Sequence, residues 1–180
     1  PTSAIEILQV VRDAALENKI PFYDMRKEQG VLRQLMVRYA DDGAMMVRIV
    51  FGKFDAEALD LFIAVLTEKF PAIRSISYLI NREKDGKVNE LDTVIAYGEP
   101  TLPITLNGLR FAMSPGSFFQ TNTLQTEQLY NTAIEWCALS GSETLFDLYS
   151  GTGVQGQVTW AGAPQSASVH AAVSPPPPPP

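Results

Sequence analysis

One cysteine and one histidine in 180 residues leave this chain little with which to hold a soft metal or to staple itself. Cys137 alone cannot form an internal disulfide, and no second cysteine exists to begin a zinc or iron–sulfur site within the chain. His170 stands in a run of small residues and reads as a solvated side chain rather than a general base. Long apolar runs are also missing. No stretch reaches the ~20 residues that span a bilayer, and the start has no cationic segment followed by an apolar one. A cytoplasmic protein is the expectation. Bases are absent from the whole second part: all fourteen Lys and Arg lie between Arg12 and Arg110, and from residue 111 onward there are four acids and no base. The net charge of −6 argues against a uniformly nucleic-acid-binding surface. Any contact with phosphates must come from a local patch in the first 110 residues.

What is present falls into three stretches. Residues 1–107 read as a central α+β domain, a mixed or antiparallel sheet covered by helices. Ser3-Ala4-Ile5-Glu6 has the form of a capping box, with Ile5, Leu8 and Ala15 able to share a helix face, and Pro21 ends that helix. Strands are predicted over 31–39 and 45–51, joined through the turn signal Asp41-Asp42-Gly43. In the second strand Met45, Val47, Ile49 and Phe51 alternate with Met46, Arg48 and Val50, so the first set should face the core. Asp55 is a plausible N-cap for a helix whose Leu59, Phe62, Ile63 and Leu66 follow i, i+3, i+4, i+7 spacing, stopped by Pro71. Further strands are expected over 73–80 and 93–97, with a charged loop over 83–90.

The second stretch, 108–155, opens with F-A-M-S-P-G-S-F-F-Q-T-N and ends with L-F-D-L-Y-S-G-T-G. Asn122 can cap a helix with Gln125 three residues on, and Tyr130, Ala133, Ile134 and Cys137 fall on one of its faces, with Gly141 as a stop. A strand over 144–149 then runs into Ser150-Gly151-Thr152-Gly153. In α/β folds, ligands sit at the carboxyl ends of strands, where glycines let the backbone come close. The third stretch, 156–180, is Ala-, Ser- and Pro-rich, ends in six prolines and is expected to be disordered or polyproline-like.

The two motifs of the second stretch resemble those of the RNA uracil-5 methyltransferases. The matching residues are Ser114-Pro115, Ser117-Phe118-Phe119-Gln120-Thr121-Asn122, Leu129-Tyr130 and Asp147-Leu148-Tyr149-Ser150-Gly151-Thr152-Gly153. Ser150 stands where the family usually has a non-catalytic cysteine. Upstream, Phe22-Tyr23-Asp24, Gly30-Val31-Leu32-Arg33, Leu79-Ile80-Asn81 and Tyr97-Gly98-Glu99 fit the family's middle region. The resemblance runs over about 20–153 and is nearest the branch that modifies large-subunit ribosomal RNA. It implies a second domain that is the start of a Rossmann-like methyltransferase domain, broken off after its first strand and glycine loop.

The resemblance further implies S-adenosylmethionine as cofactor, with Gln120, Tyr149, Gly151 and Gly153 at its site. It implies ribosomal RNA as partner, transfer RNA being less expected; the oligomeric state is left open, with a monomer favoured. An iron–sulfur cluster would belong only to a part of the protein outside this chain. Methylation of uracil C5 needs a thiolate that adds to C6 and a base that removes the C5 proton. In the family both residues lie beyond the glycine loop, so no catalytic residue is assigned here and the chain alone is expected to be inactive. Cys137, with no Lys, Arg or His close in sequence, reads as a small core hydrophobe.

For RNA, Arg33, Arg38 and Arg48 on neighbouring strands can form a basic stripe, although charges on a sheet's solvent face are ordinary. Phe22 and Tyr23 can stack on bases or pack in the core. Two other readings stay open: a non-catalytic RNA-binding or interaction module, and a truncated remnant without function.

Overall fold

From Thr2 to Glu17 the chain forms helix α1, which ends as Lys19 turns left-handed (φ 56°) and the Ile20 N–H donates to the Ala15 carbonyl at 2.8 Å. Pro21 follows this stop rather than making it. The computed structural model describes residues 2–82, 92–120, 122–138 and 140, and the backbone of two strands at 144–148 and 168–172. Ser3 lies inside α1 and shares a 3.0 Å hydrogen bond with the Tyr39 hydroxyl, so it is no cap. The face α1 buries is Ile7, Val11, Ala14 and Ala15, while Ile5 and Leu8 stay exposed. Two apolar stripes compete on this helix, and the more continuous one docks.

Strands β1 (Leu32–Tyr39) and β2 (Met45–Phe51) form the expected antiparallel hairpin. Helix α2 (Ala56–Lys69) starts at Asp55, whose carboxylate accepts the Ala58 N–H at 3.0 Å. It carries the chain across to β3 (Ile73–Ile80), which pairs with β2 in parallel. β4 (Val94–Gly98) then returns antiparallel, giving the order β1-β2-β3-β4. The sheet is mixed because a helix, not a tight turn, joins its two central strands.

Leu59, Phe62 and Leu66 pack with Met45, Val47, Ile49, Phe51 and the buried side of α1, and Ile63 is partly buried against them, as the spacing predicts. All seven β2 residues are buried, so Met46, Arg48 and Val50 are covered as well. An interior strand has neighbours on both sides and, here, cover on both faces. The 83–90 loop lies outside the described residues.

β5 (Leu102–Leu106) and β6 (Leu109–Met113) make a two-stranded hairpin. Its turn is Asn107-Gly108, with φ of 48° and 75°, the positive pair that a two-residue turn requires. Helix α3 (Thr123–Cys137) is capped by Asn122, which accepts the Gln125 N–H at 3.1 Å. It ends at Ala138, left-handed at φ 47°, not at Gly141. Two compact units result: Pro1–Pro103 with Ala112–Gly116, and Ile104–Phe111 with Ser117–Pro180. The boundary expected at 107/108 falls within the β5–β6 turn.

β7 (Thr144–Leu148) pairs in parallel with β8 (Ser168–Ala172), Thr144 opposite Ser168 and Leu148 opposite Ala172. The expectation of an unstructured tail therefore fails over 168–172. That expectation weighed side chains only, whereas an open strand edge offers a row of backbone donors and acceptors to any extended segment.

Candidate functional site

Gln120 sits in the short connection between β6 and α3. Three anchors hold that connection within its unit. Phe119 packs edge-on against Phe111 at 6.0 Å between ring centres, Asn122 caps α3, and Tyr130 of α3 buries itself against Leu106. The β5–β6 turn is tied to the same helix: the Asn107 N–H donates to Glu127 Oε1 at 2.8 Å, and Asn107 Nδ2 to Asn131 Oδ1 at 2.7 Å. Gln120 itself is exposed, as is Phe118. The alternation is local logic: in S-F-F-Q-T-N, Phe119 turns inward and its two neighbours turn out. An exposed primary amide just ahead of a helix N-terminus can donate and accept, which suits a zwitterionic ligand.

Tyr149, Gly151 and Gly153 lie outside the described residues. Their nearest described neighbour is Leu148, at the end of β7, so the expected meeting of Gln120 with Tyr149 is not part of the described structure. Cys137 is exposed at the end of α3, which corrects its reading as a core residue. The helix buries Thr126 and Tyr130, and its last turn has passed beyond that contact. Among the described residues no three His, Cys, Asp or Glu side chains converge as a metal site would need, and no helix is long and apolar enough to cross a membrane.

The three arginines do not make one solvent-facing stripe. Arg33 is the extra residue of a bulge between Leu32 and Gln34, and bulges re-aim side chains. Its guanidinium lies 4.6 Å from the centre of the Tyr23 ring, and its Nη1 donates to the Asn81 carbonyl at 2.7 Å. Arg38 Nη1 donates to the Ser114 carbonyl at 3.2 Å.

Arg48 is 2% exposed, which corrects the expectation that it faces phosphates. It stands opposite Met36 on β1 and Ser77 on β3, and its Nη2 reaches Met36 Sδ at 3.4 Å. Pro115 lies over Met36, Arg38, Met46 and Arg48 and closes a void with no room for water. Burial pulls the Arg48 pKa down, and the charge of Arg38 adds to this; burial alone does so for Arg38. Both guanidinia remain cationic at any working pH. A signal for this burial was available in the sequence: Ser75 and Ser77 share the parity of Leu79 on β3, and small side chains there leave room for a long one opposite.

No family model matches the chain. Curated relatives do. The chain is 35% identical over 150 residues to an uncharacterized RNA methyltransferase of Porphyromonas gingivalis, covering 82% of this chain and 32% of that protein. Over that stretch its homologues are named RNA methyltransferases. It is also 34% identical over 170 residues to a 23S rRNA (uracil(747)-C(5))-methyltransferase of Halothiobacillus neapolitanus, covering 88% of this chain and 45% of that one. Thus the chain spans about a third to under a half of the length of these RNA methyltransferases. Among solved structures, a tRNA (uracil-54, C5)-methyltransferase of Pyrococcus abyssi superposes with a TM-score of 0.64 at 23% identity, covering 94% of this chain and 46% of that one. That likeness is one of fold.

Proposed function

We propose that this chain is part of an S-adenosylmethionine-dependent methyltransferase that methylates C5 of uracil in ribosomal RNA. The observation that carries this reading is the pair of motifs, S-F-F-Q-T-N and D-L-Y-S-G-T-G, within a chain 34% identical to a 23S rRNA uracil-C5 methyltransferase. When bound, the cofactor supplies an electrophilic methyl group. Gln120, exposed and primed by the Asn122-capped helix, is the residue we assign to hold it, with Tyr149, Gly151 and Gly153 of the glycine loop beside it. The described geometry of Gln120 fits such a ligand.

On the RNA side, Arg33 and Arg38 are the candidate phosphate contacts. Their half-buried settings support the reading, since a guanidinium held by a ring or a carbonyl loses less freedom on binding. Arg48 is left out of it. The resemblance implies a nucleophile and a base beyond the glycine loop, and no residue of this chain is assigned either role. Cys137 takes neither role.

The test uses a longer protein that contains this segment, incubated with labelled S-adenosylmethionine and unmodified 23S rRNA, with nucleosides separated by mass spectrometry. Label in 5-methyluridine is the expected result, reduced at least tenfold by Gln120→Ala. Label on another base, or on none, refutes the proposal.

A further inference from the structure

Between α1 and the outer edge of β1 runs a groove of about 120 Å³, bordered by Leu8, Arg12, Phe22, Leu32, Arg33 and Gln34. It is too small for a whole cofactor, which needs roughly 300–1,000 Å³. With ~30 Å³ per water, it holds about four waters, the space of a single flat ring. Its floor is apolar, since Leu32 is buried. Phe22 forms a wall and is 44% exposed although it is pinned in the backbone: it bridges to Leu32 like an added strand, and the next N–H, of Tyr23, donates to the Leu32 carbonyl at 2.9 Å.

Gly30 permits this close approach. Its φ is +134°, and a Cβ there would strike the Phe22 carbonyl and the Tyr23 backbone. Phe22 thus presents an apolar face to solvent on a fixed backbone, a surface on which a flat ring can stack. The polar rim says what kind of cover fits. Arg33 is held over the Tyr23 ring, and Gln34 is exposed with an amide that both donates and accepts. Among the described residues Arg12 pairs with its neighbour Asp13 alone, at 2.8 Å and with both side chains more than half exposed, a contact easily exchanged for a stronger anion.

From this juxtaposition we infer that the groove is a subsite for one unpaired base of a single-stranded RNA. The base stacks on Phe22, its edge meets the Gln34 amide, and its phosphate lies against Arg33 and Arg12. Aromatic stacking combined with an arginine beside an amide is how single-stranded RNA is held without a deep pocket. This inference rests on the RNA reading proposed above.

Fluorescence anisotropy of the whole chain with a short fluorescein-labelled single-stranded RNA tests it. Phe22→Ala should weaken binding about fivefold or more, the loss of one stacked base, while Phe22→Trp retains it. Arg33→Gln should lower the slope of log affinity against log salt by about 0.7, one phosphate contact on a single strand. Wild-type binding that Phe22→Ala leaves unchanged overturns the subsite and leaves the methyltransferase reading standing. No binding by the wild type at any ionic strength overturns the subsite and removes the RNA contacts proposed for this chain. If circular dichroism shows that Phe22→Ala has unfolded, photocrosslinking decides. RNA carrying 4-thiouridine should label the wild-type peptide containing Phe22, and label found only elsewhere overturns the inference.

Discussion

Arg48 is the residue whose surroundings least suit its chemistry. Its Nε and Nη1 have no hydrogen-bond partner among the described residues, nor do the Ser75 and Ser77 hydroxyls beside it. A buried cation whose one described acceptor is a thioether sulfur costs free energy, and an apolar side chain of similar length avoids that cost. Arg48→Met should therefore raise the stability measured in urea. A fall instead would show that the packing and polar contacts of Arg48 outweigh the cost of burying it. Asp42 is the opposite case, a carboxylate held in its charged form. Its Oδ1 accepts the Ala44 N–H at 3.0 Å and its Oδ2 pairs with Arg74 at 3.0 Å. The Ala44 N–H is the main cause of its lowered pKa; partial burial opposes it and the Arg74 charge assists. Because the folded value lies below the unfolded one, near 3.9, its contribution is present above that pH and is lost as pH falls through the folded value. Thermal midpoints taken between about pH 5 and pH 2 should fall more steeply for the wild type than for Asp42→Asn.

At the scale of single elements, α1 offers the sharpest test, because Ile5 and Leu8 of its expected face are exposed and Ile7 and Val11 are buried instead. Ile7 is fully buried and Leu8 is 56% exposed. Ile7→Ala should cost about 2–5 kcal/mol, while Leu8→Ala should stay within about 0.5 kcal/mol. Equal costs in denaturant titrations would mean that α1 docks by its other face. Helix α2 depends on its start as well as its face. Asp55→Ala removes the acceptor for the Ala58 N–H and should destabilise by about 1 kcal/mol, with Asp55→Asn recovering most of it. Failure of the asparagine to recover it would point to charge rather than capping.

For the molecule as a whole, charge is unevenly divided along the chain. Every base lies before residue 111, thirteen of the fourteen with the mixed sheet and the Phe22 groove and Arg110 on β6, while the motifs proposed to hold the cofactor lie in a stretch with no base. The resemblance implies a Rossmann-like domain, a fold that places an acid for the ribose hydroxyls at the end of a following strand, and no acid follows Asp147 in the sequence. Calorimetric titration of this chain with S-adenosylmethionine should accordingly show no micromolar binding. Small ligands bind tightly only when most of their surface is enclosed. Micromolar affinity would show that residues 149–167 enclose more of the cofactor than their composition suggests.

Much of the fold was legible without coordinates. Periodicity and punctuation are local properties, so β2, β3, the Asp55 and Asn122 caps and the buried face of α2 could be read from spacing alone, and the family from two short motifs. The type of the β5–β6 turn was equally written in Asn107-Gly108, though only the paired positive φ values made it plain. Other features depended on what lies opposite, which no spacing encodes. The parallel pairing of β2 with β3 buried Arg48 by covering the second face of its strand. The buried face of α1, with Ile7 and Val11 in place of Ile5 and Leu8, was set by the shared core it joined. The bulge at Arg33 turned that side chain out of line with Arg38 and onto Tyr23. Backbone pairing with β7 drew residues 168–172 of a low-complexity tail into a strand. Local order follows from each residue's own preferences; burial and partnership are properties of pairs brought together from far apart in the chain, and only the folded structure decides them.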